Sequence, residues 1–234
     1  MTITSRSKAV MGRTLRWGLI ALIVGIVAVA PVLLFRMTYA HNKRLREIVP
    51  GMVFRSGQLT AEGFTDAVLE LGIKTIINLQ DDFPDPDLEL GFFDRRTIRE
   101  SDLCRQLGVR YVFIGPDLVW RKRVGIDRPE AIEQFLAIMD DPGSYPVLLH
   151  CKAGLHRTGC MAAIYRMEYQ GWTPQQAIQE MKHNGFGEWA CTTYNDYVVQ
   201  YVLTYKPGIR HTAAFRGQES GIRNQESVRL TPDP

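Results

Sequence analysis

The sequence predicts an α/β domain carried behind one membrane-spanning helix, and three observations predict it. A run of nineteen residues, Trp17 to Phe35, contains no charged or strongly polar side chain. From about residue 52, short apolar runs rich in β-branched residues alternate with stretches of helical spacing over some 100 residues, the pattern of layered α/β folds. The charge is also divided: the formal +3 of the 234 residues splits into +8 over residues 1–46, −7 over 47–205 and +2 over 206–234. Because the largest part is acidic, nucleic acid is excluded as a partner, since backbone binding needs basic surface spread over the folded module.

The first segment, 1–46, is read as a basic tail, a membrane anchor at about 17–35 and a linker. As a helix rising about 1.5 Å per residue, the apolar run crosses a hydrocarbon core of about 30 Å. Arg6, Lys8, Arg13 and Arg16 precede it and Arg36, Lys43, Arg44 and Arg46 follow it, so the positive-inside count is a tie between the two orientations. A cleaved signal peptide, with Thr38-Tyr39-Ala40 as its small-residue site, is the rival reading, but the apolar run exceeds the usual length of about 7–15 residues. A buried helix of a soluble domain would carry a polar stripe, which this segment lacks.

The domain expected over 47–205 opens after Val49-Pro50-Gly51, with Met52-Val53-Phe54 as its first strand. Thr60 reads as an N-cap for a helix carrying Phe64, Val68 and Leu71, which Gly72 stops. Thr75 to Leu79 is a strand, and the acidic, proline-containing stretch from Gln80 to Asp94 is a solvated loop. Ile98 to Leu107 suits a helix ended by Gly108, and Val109 to Ile114 a strand broken by Gly115-Pro116-Asp117. Asp127 can cap a helix from Arg128 to Met139. Val147-Leu148-Leu149 is a buried central strand, and Thr158 to about Leu203 reads as successive helices. The tail, 206–234, is polar and cannot bury enough surface to fold alone.

Chemistry concentrates directly after the central strand, in His150-Cys151-Lys152-Ala153-Gly154-Leu155-His156-Arg157-Thr158-Gly159. Five residues between Cys151 and Arg157 let the backbone curl so that successive N–H groups, those of Lys152 to His156, point into one cup that binds an anion. The loop feeds into a helix N-terminus, whose amides and dipole favour a phosphate or a thiolate. Arg157 supplies a guanidinium able to clamp two phosphate oxygens. Thiols in such a field are nucleophilic at neutral pH. Thr158 can cap the following helix, and Cys160 packs in its core face. The four cysteines show neither a CxxC pair nor a His/Cys ligand cluster, so no disulfide framework or structural zinc site is expected.

The stretch resembles the signature HCxxGxxRTG of the protein tyrosine and dual-specificity phosphatase superfamily, matching at His150, Cys151, Gly154, Arg157, Thr158 and Gly159. FRSGQ at 54–58 and KTIINLQ at 74–80 are similar to the atypical small dual-specificity phosphatases of microbes and plants. The resemblance implies a central mixed sheet flanked by helices and a reaction with no metal or cofactor. It implies Cys151 as nucleophile, Arg157 as the phosphate clamp, a buried His150 holding the Cys151 backbone, and a Thr158 hydroxyl that stabilises the departing thiolate. The family also draws a general acid from a loop after an earlier strand. Asp117, just past the strand ending at Ile114, is the choice, with Asp127 as the rival. Arg121-Lys122-Arg123 can rim the pocket beside it.

Substrate is the less specific part. Phosphoinositide-type loops commonly read KAGKG, and the atypical group carries a KHRTG end that serves inositol pyrophosphates in some members; Leu155 replaces the lysine of both patterns here. A phosphorylated protein, through phosphotyrosine or dual-specificity activity, is therefore the leading expectation, and an inositol phosphate or phosphoinositide the alternative. A phosphate-binding interaction module without activity usually lacks the nucleophile or the Arg, and both are present. A sulfurtransferase or arsenate reductase would use a cup of different size or a cysteine near the domain start.

Overall fold

The run at 147–149 lies in the central strand of a mixed sheet in a computed structural model of the chain. The structure describes residues 5–80, 83–115, 129–187 and 196–210. Seven strands occur among these residues: β1 (Arg46–Val49), β2 (Val53–Gly57), β3 (Thr75–Asn78), β4 (Asp87–Glu89), β5 (Thr97–Arg99), β6 (Arg110–Phe113) and β7 (Val147–Cys151). Five of them form the main sheet in the order β1-β2-β7-β3-β6. The β1/β2 pair is antiparallel, whereas β2, β7, β3 and β6 run parallel. The helices are α1 (Ser5–Asn42), α2 (Ala61–Leu71), α3 (Glu100–Leu107), α4 (Glu130–Met139), α5 (Arg157–Gln170), α6 (Pro174–His183) and α7 (Asp196–Thr204).

Side-chain alternation along β7 divides the core in two. Val147, Leu149 and Cys151 join Phe135, Leu136, Ile164, Met181 and Val202 on the face covered by α4 to α7. Leu148 joins Phe64 and Leu103 on the face covered by α2 and α3. Burying each of these large side chains contributes about 1.5–3 kcal/mol. Thr60 caps α2 as its position predicts, its side chain accepting from Gly63 N at 3.1 Å, and Gly72 ends the helix in the left-handed region.

Several boundaries differ from the sequence reading. Arg46–Val49, read as linker, is a strand, because Arg46 and Glu47 find partners in Arg55 and Phe54 across a hairpin at Pro50–Met52. The acidic loop contains β4, which pairs with β5, and β5 takes the first residues of the helix expected from Ile98. Asp85 from that loop accepts from Ser101 N at 2.9 Å and Ser101 Oγ at 2.8 Å, tying it to the first turn of α3. The helix expected from Arg128 begins at Glu130, and Asp127 lies outside the described residues.

The first helix is long and apolar enough over Leu15–Asn42 to cross a membrane, and none of its most apolar window is buried against the domain. Its last turn nevertheless docks: His41 Nε2 lies 3.0 Å from Asp66 Oδ2 of α2, and a Cβ on Gly63 would overlap the His41 carbonyl oxygen.

At the far end of the domain, Lys206–Arg210 leave α7 and return to the body. Arg210 pairs with Asp140 (Nε to Oδ2 at 2.8 Å) and with Glu168, which also accepts from Tyr205 at 2.7 Å and Gly208 N at 3.1 Å. The Asp140 carboxyl is held below its ordinary 3.8, chiefly by Arg210. Burial opposes ionisation of Glu168, but these hydrogen bonds outweigh it and lower its value from 4.5. A chain cut after Tyr205 is expected to be less stable than one cut after Arg210 by about 1 kcal/mol at pH 7, a small figure because Arg210 is partly solvated. Both carboxyls are lowered on folding, so the difference is complete above their ordinary values and disappears as the pH falls through the lowered ones. Urea melts of the two chains at pH 7 and pH 3 measure it.

Candidate active site

The phosphate-loop residues come together where β7 ends and α5 begins. Open parallel sheets bind ligands outside the carboxyl ends of their strands, and β7, flanked on both sides by parallel neighbours, delivers Cys151 there. Cys151 is 4% exposed, and its Sγ accepts from Gly154 N at 3.2 Å, so at least one loop amide points at the sulfur. His156, at the N-cap of α5, makes no side-chain cap, which leaves the helix end available to an anion. Arg157 is the first residue of that helix.

The loop needs glycine at its centre. Gly154 has φ +73°, and a Cβ there would lie 2.6–2.7 Å from Gly57 N and the Ser56 backbone. Gly154→Ala is expected to push the loop off β2 and lower kcat on an aryl phosphate about 100-fold, the scale of an ångström-size misplacement in a site. Steady-state kinetics with a melting temperature as control measures this.

Around this centre Lys152 is exposed, with Nζ 5.5 Å from the centroid of the Phe83 ring, and Ala153 is half-buried. Leu155 is buried at 4% exposure. The half-buried His156 is held below the ordinary 6.5 by burial and then by Arg157. Thr158 Oγ1 is buried and finds no hydrogen-bond partner among the described residues. Cys160 and Cys104 are core thiols, each pushed up to about 12, by burial for Cys160 and chiefly by burial for Cys104. No group of three His, Cys, Asp or Glu able to hold a metal occurs among the described residues. Asp117, Asp127 and Arg121 to Arg123 lie outside them.

His150 differs from expectation in its partner. Its ring extends to the face opposite Cys151, where Nε2 meets Glu100 Oε1 at 2.7 Å with both side chains fully buried. It stacks edge-on against Phe64 with centroids 5.1 Å apart. The alternation that sends Cys151 to one face sends His150 to the other, so its side chain meets a carboxylate from α3.

Three more residues belong to the loop's surroundings. Arg55, 3% exposed, donates through Nη2 to Gly154 O at 2.9 Å. Arg44 donates through Nη1 to Ala153 O at 2.8 Å, and Lys43 O accepts from Gly57 N at 2.7 Å. An arginine in the middle of the β2 run is a visible anomaly in the sequence. Nothing in the linker composition points Arg44 or Lys43 toward a loop more than 100 positions away.

A fold with a cysteine at the end of a central parallel strand, an anion cup and an arginine opening the next helix defines the cysteine-based phosphatase class. The model of the tyrosine phosphatase family matches residues 46–190, and the chain belongs to that family. Over 43 residues it is 58% identical to a protein named dual specificity protein phosphatase TpbA of Pseudomonas aeruginosa, which covers 18% of this chain and 20% of that protein. Over 132 residues it is 30% identical to inositol diphosphatase DSP2 of Oryza sativa subsp. japonica, covering 56% and 57% of the two chains. The chain thus spans less than two thirds of these relatives. Among solved structures it shares its fold with the catalytic core of the PP-IP phosphatase SIW14 from S. cerevisiae (TM-score 0.51, 20% identity, 70% of this chain and 86% of that one). The TpbA structure from P. aeruginosa is similar (TM-score 0.50, 24% identity, 70% and 86%).

Proposed function

We propose that this chain is a membrane-anchored phosphatase that hydrolyses phosphate monoesters of phosphorylated proteins through a cysteinyl-phosphate intermediate. The observation that carries the reading is the cup itself: Cys151 Sγ receives the Gly154 amide at 3.2 Å at the mouth of α5, with Arg157 opening the helix. In the first step Sγ attacks phosphorus, the S–P bond forms, the bond to the leaving oxygen breaks, and Asp117 gives that oxygen its proton. The loop amides and Arg157 stabilise the charge on the transferring group. In the second step water attacks phosphorus and gives a proton to Asp117. The S–P bond then breaks and the thiolate is received by the Thr158 hydroxyl.

Asp117 as acid is supported by topology. It follows β6, which runs parallel to β7 with only β3 between them, so β6 ends at the same edge of the sheet, roughly 10 Å away. The anchor is supported by an apolar surface on α1 that the domain does not cover. An inositol phosphate is the second reading, favoured by the match to a protein named inositol diphosphatase and by the cations Lys152, Lys43 and Arg44 around the loop.

The test uses the full chain in detergent with a generic aryl phosphate. Acid quenching during turnover of a radiolabelled substrate should leave phosphate on the peptide containing Cys151, and its absence there removes the intermediate. Asp117→Asn should lower kcat more than Asp127→Asn, and the reverse order moves the acid to Asp127. Phosphotyrosine peptide, phosphoserine peptide and inositol polyphosphates compared by kcat/KM decide the substrate class. The anchor requires that the protein stay with membranes through alkaline carbonate; release, or cleavage after Ala40, removes it.

A further inference from the structure

Two consecutive carbonyls of the phosphate loop are gripped from behind by arginines of different origin. Gly154 O takes Arg55 of β2 at 2.9 Å, and Ala153 O takes Arg44 at 2.8 Å. A nest presents its amides to an anion only while the carbonyls between them stay turned outward, and donors on those carbonyls hold them there. Arg44 stands two residues beyond the end of α1, in the segment that joins the membrane helix to the domain. It adopts φ +55°, a left-handed conformation that a side-chain-bearing residue rarely accepts, and it is the only described non-glycine residue to do so. Its guanidinium lies over the Tyr39 ring at 5.5 Å. Lys43 beside it accepts from Gly57 N at 2.7 Å, and its stem packs on Gly57, the β2 residue opposite Cys151 in the sheet. Burial, then the Arg44 charge, lower the Lys43 ammonium, while the charge of Cys151 opposes them, so Lys43 lies within the field of that thiol.

We propose that Arg44 is a positioning residue of the catalytic loop: the juxtamembrane turn at the end of α1 holds the Ala153 carbonyl outward and its positive charge behind the phosphate cup. The membrane helix is then joined to the reacting centre by a hydrogen bond as well as by the chain. The proposal rests on the phosphatase reading for its consequence, but its test does not depend on turnover.

The experiment measures, in the full chain in detergent, peptide-resolved alkylation of Cys151 by iodoacetamide as a function of pH, and its protection by inorganic phosphate. Arg44→Ala is expected to move the alkylation midpoint to higher pH and weaken phosphate protection about 10-fold, the scale of one hydrogen bond from a charged donor. Arg44→Lys should restore most of both, and Arg44→Gln, which keeps a donor without the charge, should restore protection more than the midpoint. Arg95→Ala, whose exposed partner is Glu89, serves as a control and should change neither. An unchanged midpoint and unchanged protection in Arg44→Ala overturn the proposal, whatever happens to its melting temperature. If Arg44→Ala does not fold, the Lys and Gln variants decide, and equal, wild-type values in both overturn it. Wild-type protein that shows the phosphate-protected Cys151 but hydrolyses nothing contradicts the phosphatase reading and leaves this result standing.

Discussion

Cys151→Ser is expected to lower hydrolysis of an aryl phosphate by about four orders of magnitude or more, with folding and phosphate binding retained. In the proposed mechanism the Cys151 thiolate forms the S–P bond, and the other groups act on that bond's formation and rupture. Members of one catalytic unit are strongly non-additive, so removing the nucleophile removes nearly all that the unit achieves. Serine differs from cysteine by one small atom at a site 4% exposed, so packing around β7 changes little. The hydroxyl keeps the Gly154 amide partnered, and the cup should still bind inorganic phosphate by calorimetry. Residual hydrolysis near the wild-type rate in Cys151→Ser, with contaminating phosphatase excluded by a vector control, would falsify the cysteinyl mechanism. Because water then has no covalent intermediate to attack, the variant should also yield no acid-stable labelled peptide.

How much of this was readable beforehand varies by residue. The loop from His150 to Gly159 is contiguous, so its spacing carries its geometry: the strand delivers the cysteine, the loop curls and the helix opens on Arg157. The parallel strands β3 and β7 were legible as apolar runs because they are buried in the sheet, and β6, a partly exposed edge strand, through its aromatic and β-branched Tyr111-Val112-Phe113. The antiparallel edge strand β1 was not, since its residues Arg46 and Glu47 are exposed and look like linker. Glu100 and Arg44 reach the loop or its neighbour only through tertiary contacts and carry no mark of it in their own sequence neighbourhood, whereas Arg55 stands out as a charge inside the β2 run although its partner does not. Glu100 in particular reads as an ordinary acidic residue in the first turn of a helix, where its charge suits the dipole. Its full burial against His150 is a product of the packing of α3 on the sheet.

Glu100→Ala is expected to destabilise the domain by about 3–5 kcal/mol, the cost of removing one partner from a buried pair and leaving the other unsatisfied. Here the other partner is the ring adjoining Cys151. Its Nδ1 has no hydrogen-bond partner among the described residues, so Nε2 and the Phe64 edge are its polar and aromatic contacts. Glu100→Gln keeps an acceptor of nearly the same shape and should lose less than half as much. His150→Ala should cost a similar amount to Glu100→Ala, and the double variant less than the two together, because each single change strands a polar group that the double change removes. Urea denaturation of the four proteins closes this cycle. A Glu100→Ala protein within about 1 kcal/mol of wild type would show the pair to be dispensable. The activity of Glu100→Gln, measured well below its melting temperature, separates a stability role from an effect on the nucleophile.

The contact between Gly63 and the end of α1 bears on where the enzyme can work. A Cβ at Gly63 would meet the His41 carbonyl oxygen, so the last turn of α1 is pressed directly onto α2, with His41 paired to Asp66. Between Phe35, where the apolar run ends, and Asn42, where α1 ends, the helix continues for seven residues, a rise of about 10 Å. A domain on a flexible tether samples a dome of heights above the bilayer. With α1 in a membrane, this one is mounted on a short rigid post and searches essentially in two dimensions, at one altitude. Its partners are then selected first by how far from the lipid they display a phosphate, and only afterwards by what the phosphate is attached to.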